Sequence, residues 1–198
     1  MAITNSKVKR LISESINVKR QLLESDVSCL QIEAAADFII ESYKNGGKVI
    51  LCGNGGSASD AQHIEGELLG RFRFDRPGLP AVAITSNSAT VTAIANDYGF
   101  TEVFSRQVQA QAKKGDVLIA ISTSGNSQDI IRALEHSADS GVRTIALLGK
   151  DGGLCKDLAE ISIVIPSDVT ARIQECHIMI GHIICEIVEN TMFGNDDR

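Results

Sequence analysis

From residue 6 to 45 the apolar side chains recur at spacings near 3.6, first Leu11, Ile12, Ile16, Leu22 and Leu23, then Leu30, Ile32, Ala36, Phe38, Ile39 and Ile40. That period predicts two helices, with Gly46-Gly47 as their stop. The pattern then changes. Short unbroken apolar runs, KVILC (48–52), AVAIT (81–85), VLIAIS (117–122), RTIALLG (143–149) and ISIVIP (161–166), alternate with segments of helical period. The helical segments run from a glycine loop to about Leu69, through a stretch reaching Gln111, to about Ser140, briefly after the fourth run, and finally from Thr170 to Met192. A strand that is apolar at every position is buried on both faces, which calls for a parallel sheet covered by helices. The prediction is therefore an α/β three-layer sandwich with a five-stranded parallel sheet. No repeat, linker or low-complexity tract divides the chain, so residues 1–198 read as one domain. Within it, 1–45 form an N-terminal helical pair outside the alternation, available for assembly, and 46–198 form a doubly wound core ending in a long helix.

Composition narrows the function classes. A chain of 198 residues can bury roughly 70% of its unfolded surface, enough for a core without staples. With 19 Lys+Arg against 25 Asp+Glu the net charge is −6, which argues against a partner built on phosphate backbone, and no nucleic acid is expected. No apolar run approaches the roughly 18 residues of a membrane span, and the first residues mix charge with apolar groups, so neither membrane nor secretion signal is expected and the chain is assigned to the cytoplasm. Five cysteines, scattered and never in CxxC spacing, read as reduced core residues.

Two strand-to-helix junctions carry candidate chemistry. The first, Gly53-Asn54-Gly55-Gly56-Ser57-Ala58, follows the first strand and opens a helix, so its backbone N–H groups can crowd toward an anion. Gly53, Gly55 and Ala58 also fit the dinucleotide fingerprint, but that reading needs an acidic residue at the end of the second strand, where Ser86-Asn87 stand instead. A turn serving only tight packing is the other alternative. The second junction, Ser122-Thr123-Ser124-Gly125-Asn126-Ser127, places four hydroxyl residues in six positions where one would cap a helix. Such a cluster of O–H and N–H donors suits a phosphomonoester. No GxxxxGK[ST] motif occurs, which disfavours nucleotide hydrolysis. Both loops lie at carboxyl ends of strands, where open parallel sheets bind ligands, and so are expected to line one crevice.

The four histidines divide. His63 and Glu67 are spaced i, i+4 on the helix leaving the glycine loop, and a histidine with a carboxylate on one helix face can ligate a divalent metal. Gln174 and His182 lie about 80° apart on the last helix and can edge one cavity. Alternatively, Glu186, one turn beyond His182, simply pairs with it. His136 and His177 are read as ordinary structural histidines.

The chain resembles the phosphoheptose isomerases (sedoheptulose 7-phosphate isomerases), sugar-isomerase (SIS) domain proteins. The resemblance rests on CGNGGSASDAQHIEGEL, RPGLPAVAI, IANDYGF, GDVLIAISTSGNS, GKDGG and RIQECHIMIGH in that order, and runs from about Gly46 to the C-terminus, more loosely through the N-terminal helices. It implies a flavodoxin-like sandwich, a homotetramer with active sites between subunits, and one zinc per subunit. The implied zinc ligands are His63, Glu67, Gln174 and His182. The implied substrate contacts are Asn54, Gly55, Gly56, Ser57, Glu67, Asn96, Asp97, Ser122, Thr123, Ser124, Ser127 and Gln174. The implied reaction converts sedoheptulose 7-phosphate to D-glycero-D-manno-heptose 7-phosphate through an enediol, with Glu67 as base and His182 as acid/base, a first step toward nucleotide-activated heptose for lipopolysaccharide. Where some members carry an acidic residue before the arginine of RIQE, this chain has Ala171. A sister group of the same fold binds the replication initiator without catalysis and lacks the metal ligands. All four are present here, which favours the enzyme.

Overall fold

The computed structural model describes residues 3–194, with side chains from Ser6 onward. Eight α-helices and five strands follow in the order α1 (Ile3–Leu23), α2 (Asp26–Lys44), β1 (Val49–Gly53), α3 (Gly56–Leu69), β2 (Ala81–Ala83), α4 (Ser88–Tyr98), α5 (Val103–Gln111), β3 (Val117–Ser122), α6 (Gln128–Ser140), β4 (Arg143–Gly149), α7 (Cys155–Leu158), β5 (Ile161–Ile165) and α8 (Thr170–Phe193). All strands are parallel, in the order β2-β1-β3-β4-β5.

The apolar runs divide by parity, as the two-residue period of a strand requires. Val49, Leu51, Val117, Ile119, Ile121, Ile145 and Leu147 face one core with α2, α3 and α8, while Ile50, Cys52, Leu118, Ala120, Ala146 and Leu148 face a second with α5 and α6. This double burial is what selects uninterrupted apolar strands, each large side chain contributing about 1.5–3 kcal/mol on leaving water. The Ser25 hydroxyl starts α2 by accepting from Ser28 N.

Four expectations need correction. The N-terminal pair is not set apart from the sandwich: Ile32, Ala35, Ala36, Ile39 and Ile40 of α2 pack on the sheet, joined by Val18 and Leu22 of α1. The outer face of α1 stays open, with Val8, Leu11, Ile12 and Ile16 exposed, and so do Val27 and Leu30 in the first turns of α2. The helical stretch expected up to Gln111 is broken at Gly99, whose φ of +89° ends α4; a short 3-10 turn, Phe100–Glu102, then leads into α5. The second strand spans Ala81–Ala83, shorter than AVAIT, because the chain turns at Ser86, whose N–H and hydroxyl both bond to Ala83 O. Finally, four cysteines are buried, but Cys29 is only partly so and lies where α1 meets α2. No helix among the described residues is long and apolar enough to cross a membrane.

Candidate active site

With the order β2-β1-β3, the chain leaves β1 in one direction and returns beyond it to β3, so the loops after β1 and β3 diverge from a single point of the carboxyl edge. They meet there. Asn54 Nδ2 of the first loop donates to Asp129 Oδ2 at the start of α6, 2.8 Å away, and Asp129 is 4% exposed. In the second loop Ser122 Oγ accepts from Gly125 N at 3.2 Å and lies 3.3 Å from Ser127 Oγ, while Ser124 Oγ accepts from Asn126 N. Ser127 stands at the N-cap of α6 yet its hydroxyl makes no cap bond. The first amides of α6 are therefore left to an incoming acceptor, with Ser122 buried and Thr123, Ser124 and Ser127 half-buried around them.

A second polar group forms where α3 and α8 lie side by side. Gly181 removes the side chain that would keep the helices apart: a Cβ there would come within 2.6 Å of Ile64 Cδ1. Within α3 the i, i+4 spacing holds His63 Nε2 3.0 Å from Glu67 Oε1, and the close approach of α8 brings His182 Nε2 to 3.3 Å from His63 Nε2, with the three ligand atoms all within 4.8 Å of one another. The His63 and His182 rings meet edge to face, and Phe72 lies tilted over His182 at 5.8 Å between centroids. Tetrahedral zinc, with bonds of about 2.0–2.1 Å, sets its ligands roughly 3.3–3.4 Å apart. Two imidazole nitrogens at 3.3 Å with a carboxylate beside them fit that donor set.

Gln174 joins this face at the other end. Its amide packs on Gly56, where a Cβ would come within 2.3 Å of Gln174 Nε2, so α8 reaches the glycine loop. Seven residues, about 10 Å of helix, separate Gly56 from His63, so the His/Glu group lies two turns from the loop. Glu186 does not pair with His182; it accepts from Arg73. Ser57 is buried beneath the glycine loop, packed on Gly53. Asn96 and Asp97 are exposed at the end of α4, bonded to each other at 2.8 Å, and Asp97 lines a cavity of about 290 Å³ between α4 and α5 with Tyr98 and Arg106.

A SIS-domain family model matches residues 12–149. Phosphoheptose isomerase 2 of Campylobacter jejuni is 51% identical over 190 residues, 96% of this chain and 94% of that one, and the phosphoheptose isomerase of Aneurinibacillus thermoaerophilus is 51% identical over 191 residues, 96% of each. The chain belongs to the phosphoheptose isomerases of the SIS-domain family. It is accordingly an enzyme of the phosphosugar isomerase class. Solved phosphoheptose isomerases from Francisella tularensis and Neisseria gonorrhoeae superpose with TM-scores of 0.89 and 0.87 at 38% and 39% identity, each alignment covering 94% of this chain and 98% of the other.

Within this phosphoheptose isomerase framework three acidic residues escaped the sequence reading. Asp60 precedes His63 by one turn; its Oδ2 is buried without a hydrogen-bond partner, and burial pushes its carboxyl up while His63 pulls it down. The spacing Asp60, His63, Glu67 on one helix face is the signal that would have found it. Asp129, which holds Asn54, and Glu189 carry no such signal, because their partners are distant in sequence. His177, on α8 beside these groups, has the structural role assigned to it: it is fully buried, Nε2 lies 3.0 Å from Leu148 O, Nδ1 has no partner, and burial holds the ring's pKa down to about 4.

Proposed function

We propose that this enzyme isomerises sedoheptulose 7-phosphate to D-glycero-D-manno-heptose 7-phosphate, using a divalent-cation centre built on His63, Glu67 and His182, with Gln174, which packs on the glycine loop at the other end of this face, as its fourth ligand. The observation that carries the reading is the convergence of His63, Glu67 and His182 from two helices into one donor group, in a chain whose relatives at about half identity are phosphoheptose isomerases. Aldose–ketose isomerisation removes a proton from the carbon beside the carbonyl, passes through an enediol, and returns the proton to the neighbouring carbon. Glu67 is the base that takes and returns the carbon-bound proton. His182 moves the proton between the two oxygens. Zinc, when bound, supplies Lewis-acid polarisation of the carbonyl. The Ser122–Ser127 loop and the α6 N-terminus take the phosphate, and Asn54, Gly55, Gly56, Ser57, Asn96, Asp97 and Gln174 contact the sugar. Fixing the phosphate sets the reacting carbons against Glu67 and removes the entropy cost of finding that geometry.

The enzyme acts in the cytoplasm as a homotetramer, one zinc per subunit, and serves the synthesis of nucleotide-activated heptose for lipopolysaccharide. Exposed apolar residues on α1 and α2, among them Val8, Ile12, Ile16, Val27 and Leu30, speak for burial against other copies. The half-exposed flank of His63, two turns from the glycine loop, speaks for a site completed across such an interface. The test is incubation of purified protein with sedoheptulose 7-phosphate, followed by NMR with and without a chelator. Aldoheptose phosphate should form, and chelation should suppress it; no conversion in the presence of zinc overturns the reading.

A further inference from the structure

Glu189 lies seven residues beyond His182 on α8, two turns along nearly the same face. Its carboxylate and the Arg76 guanidinium form an ion pair at 3.1 Å whose side chains are 1% and 2% exposed. Glu189 Oε1 also accepts from Phe72 N at 3.0 Å, and Oε2 from Arg73 N at 2.8 Å. Arg76 directs most of its remaining donors to the end of α3: Nη2 donates to Glu67 O at 2.8 Å, and Nη1 to Leu68 O and Gly70 O at 2.7 and 2.9 Å, with a further bond to Pro77 O at 3.1 Å. These are carbonyls that a helix end leaves without intrahelical partners.

Both connections end at the His/Glu group. Arg76 grips the backbone carbonyl of Glu67 itself. Glu189 grips the backbone N–H of Phe72, whose ring lies on the ring of His182. The two helices are thus tied at two levels, by the donor group and, two turns on, by the pair. A buried ion pair adds little to stability over apolar residues of the same size, so stability alone does not account for this one.

We propose that Arg76 and Glu189 are positioning residues that set the separation of Glu67 and His63 on α3 from His182 on α8, and thereby the shape of the donor group. The proposal rests on reading that group as a divalent-cation site. The test uses full-length protein freed of metal and titrated with Co²⁺, whose visible spectrum reports ligand geometry, alongside kcat and KM for sedoheptulose 7-phosphate. Arg76→Lys keeps the charge but loses the fork of donors, and Glu189→Gln keeps the shape but loses the charge. Each should fold, weaken Co²⁺ binding about 10- to 100-fold with an altered spectrum, and lower kcat in the same range, while KM stays within about twofold because the phosphate loop is untouched. Ile184→Val, a buried change on the same helix, should move only the melting temperature. Variants that melt earlier but keep wild-type Co²⁺ affinity, spectrum and kcat overturn the proposal. If neither variant folds, Glu189→Asp decides by the same readouts, and its failure to fold as well also overturns the proposal in favour of a purely structural pair. Wild-type protein that binds no Co²⁺ overturns the metal reading instead, and the kcat-against-KM split then decides the positioning role.

Discussion

Two histidines five residues apart on α8 meet opposite fates. His177 points into the sheet, is sealed from solvent, and has one ring nitrogen bonded to Leu148 O and the other to nothing. His182 points at α3, remains partly open, and faces another histidine and, through it, a carboxylate. The helix supplies both with the same backbone; the neighbour decides. Opposite His177 lies an apolar sheet face that penalises charge, and opposite His182 a polar helix face that gathers donors.

The comparison is broken most severely at its carboxylate. Glu67→Gln keeps the size of the side chain but cannot take a carbon-bound proton, so kcat should fall about 10²–10⁴-fold while the fold survives. Turnover at the wild-type rate would remove Glu67 from the chemistry. His63→Ala and His182→Ala should each lower zinc content, measured by elemental analysis of freshly purified protein, while His177→Gln leaves it unchanged. Equal zinc loss in all three would erase the distinction between the two faces. Replacing Ser122 and Ser124 by Ala should raise KM, since hydrogen bonds to a charged group are worth about 1.5–3 kcal/mol each. An unchanged KM would reduce the loop to a helix cap.

The smallest effect on turnover belongs to His177, whose consequence is for stability. Its folded pKa, about 4 against 6.5 for the free side chain, means that the unfolded chain binds the proton first as pH falls. Stability from the neutral ring is complete above pH 6.5, declines from there to about pH 4, and is constant below. Urea unfolding should show a slope of at most about 1.4 kcal/mol per pH unit in that window, absent in His177→Gln. Identical slopes in the two proteins would refute the assignment.

Legibility followed sequence distance. The strands, glycine loop and serine loop announce themselves within ten residues each, and the i, i+4 spacing of His63 and Glu67 is local too. The break at Gly99 was missed because the apolar period continues across it and outweighed the stop signal of a single glycine, which the φ of +89° bears out. Asp129 and Glu189 were missed because their meaning lies in Asn54, 75 residues earlier, and Phe72, 117 residues earlier. No periodicity along one segment reports such partners. His182 was found beside His63, 119 residues away, only through its resemblance to a family.

That separation has a consequence for synthesis. Every strand precedes α8 in the chain, so a growing polypeptide emerging at about 5–20 residues per second can pair its sheet before His182 exists outside the ribosome. Half of the donor group waits on the sheet with no partner until the final helix arrives. Docking of α8 is then at once the closure of one core and the birth of the active site, so a chain that stops short of that helix has neither.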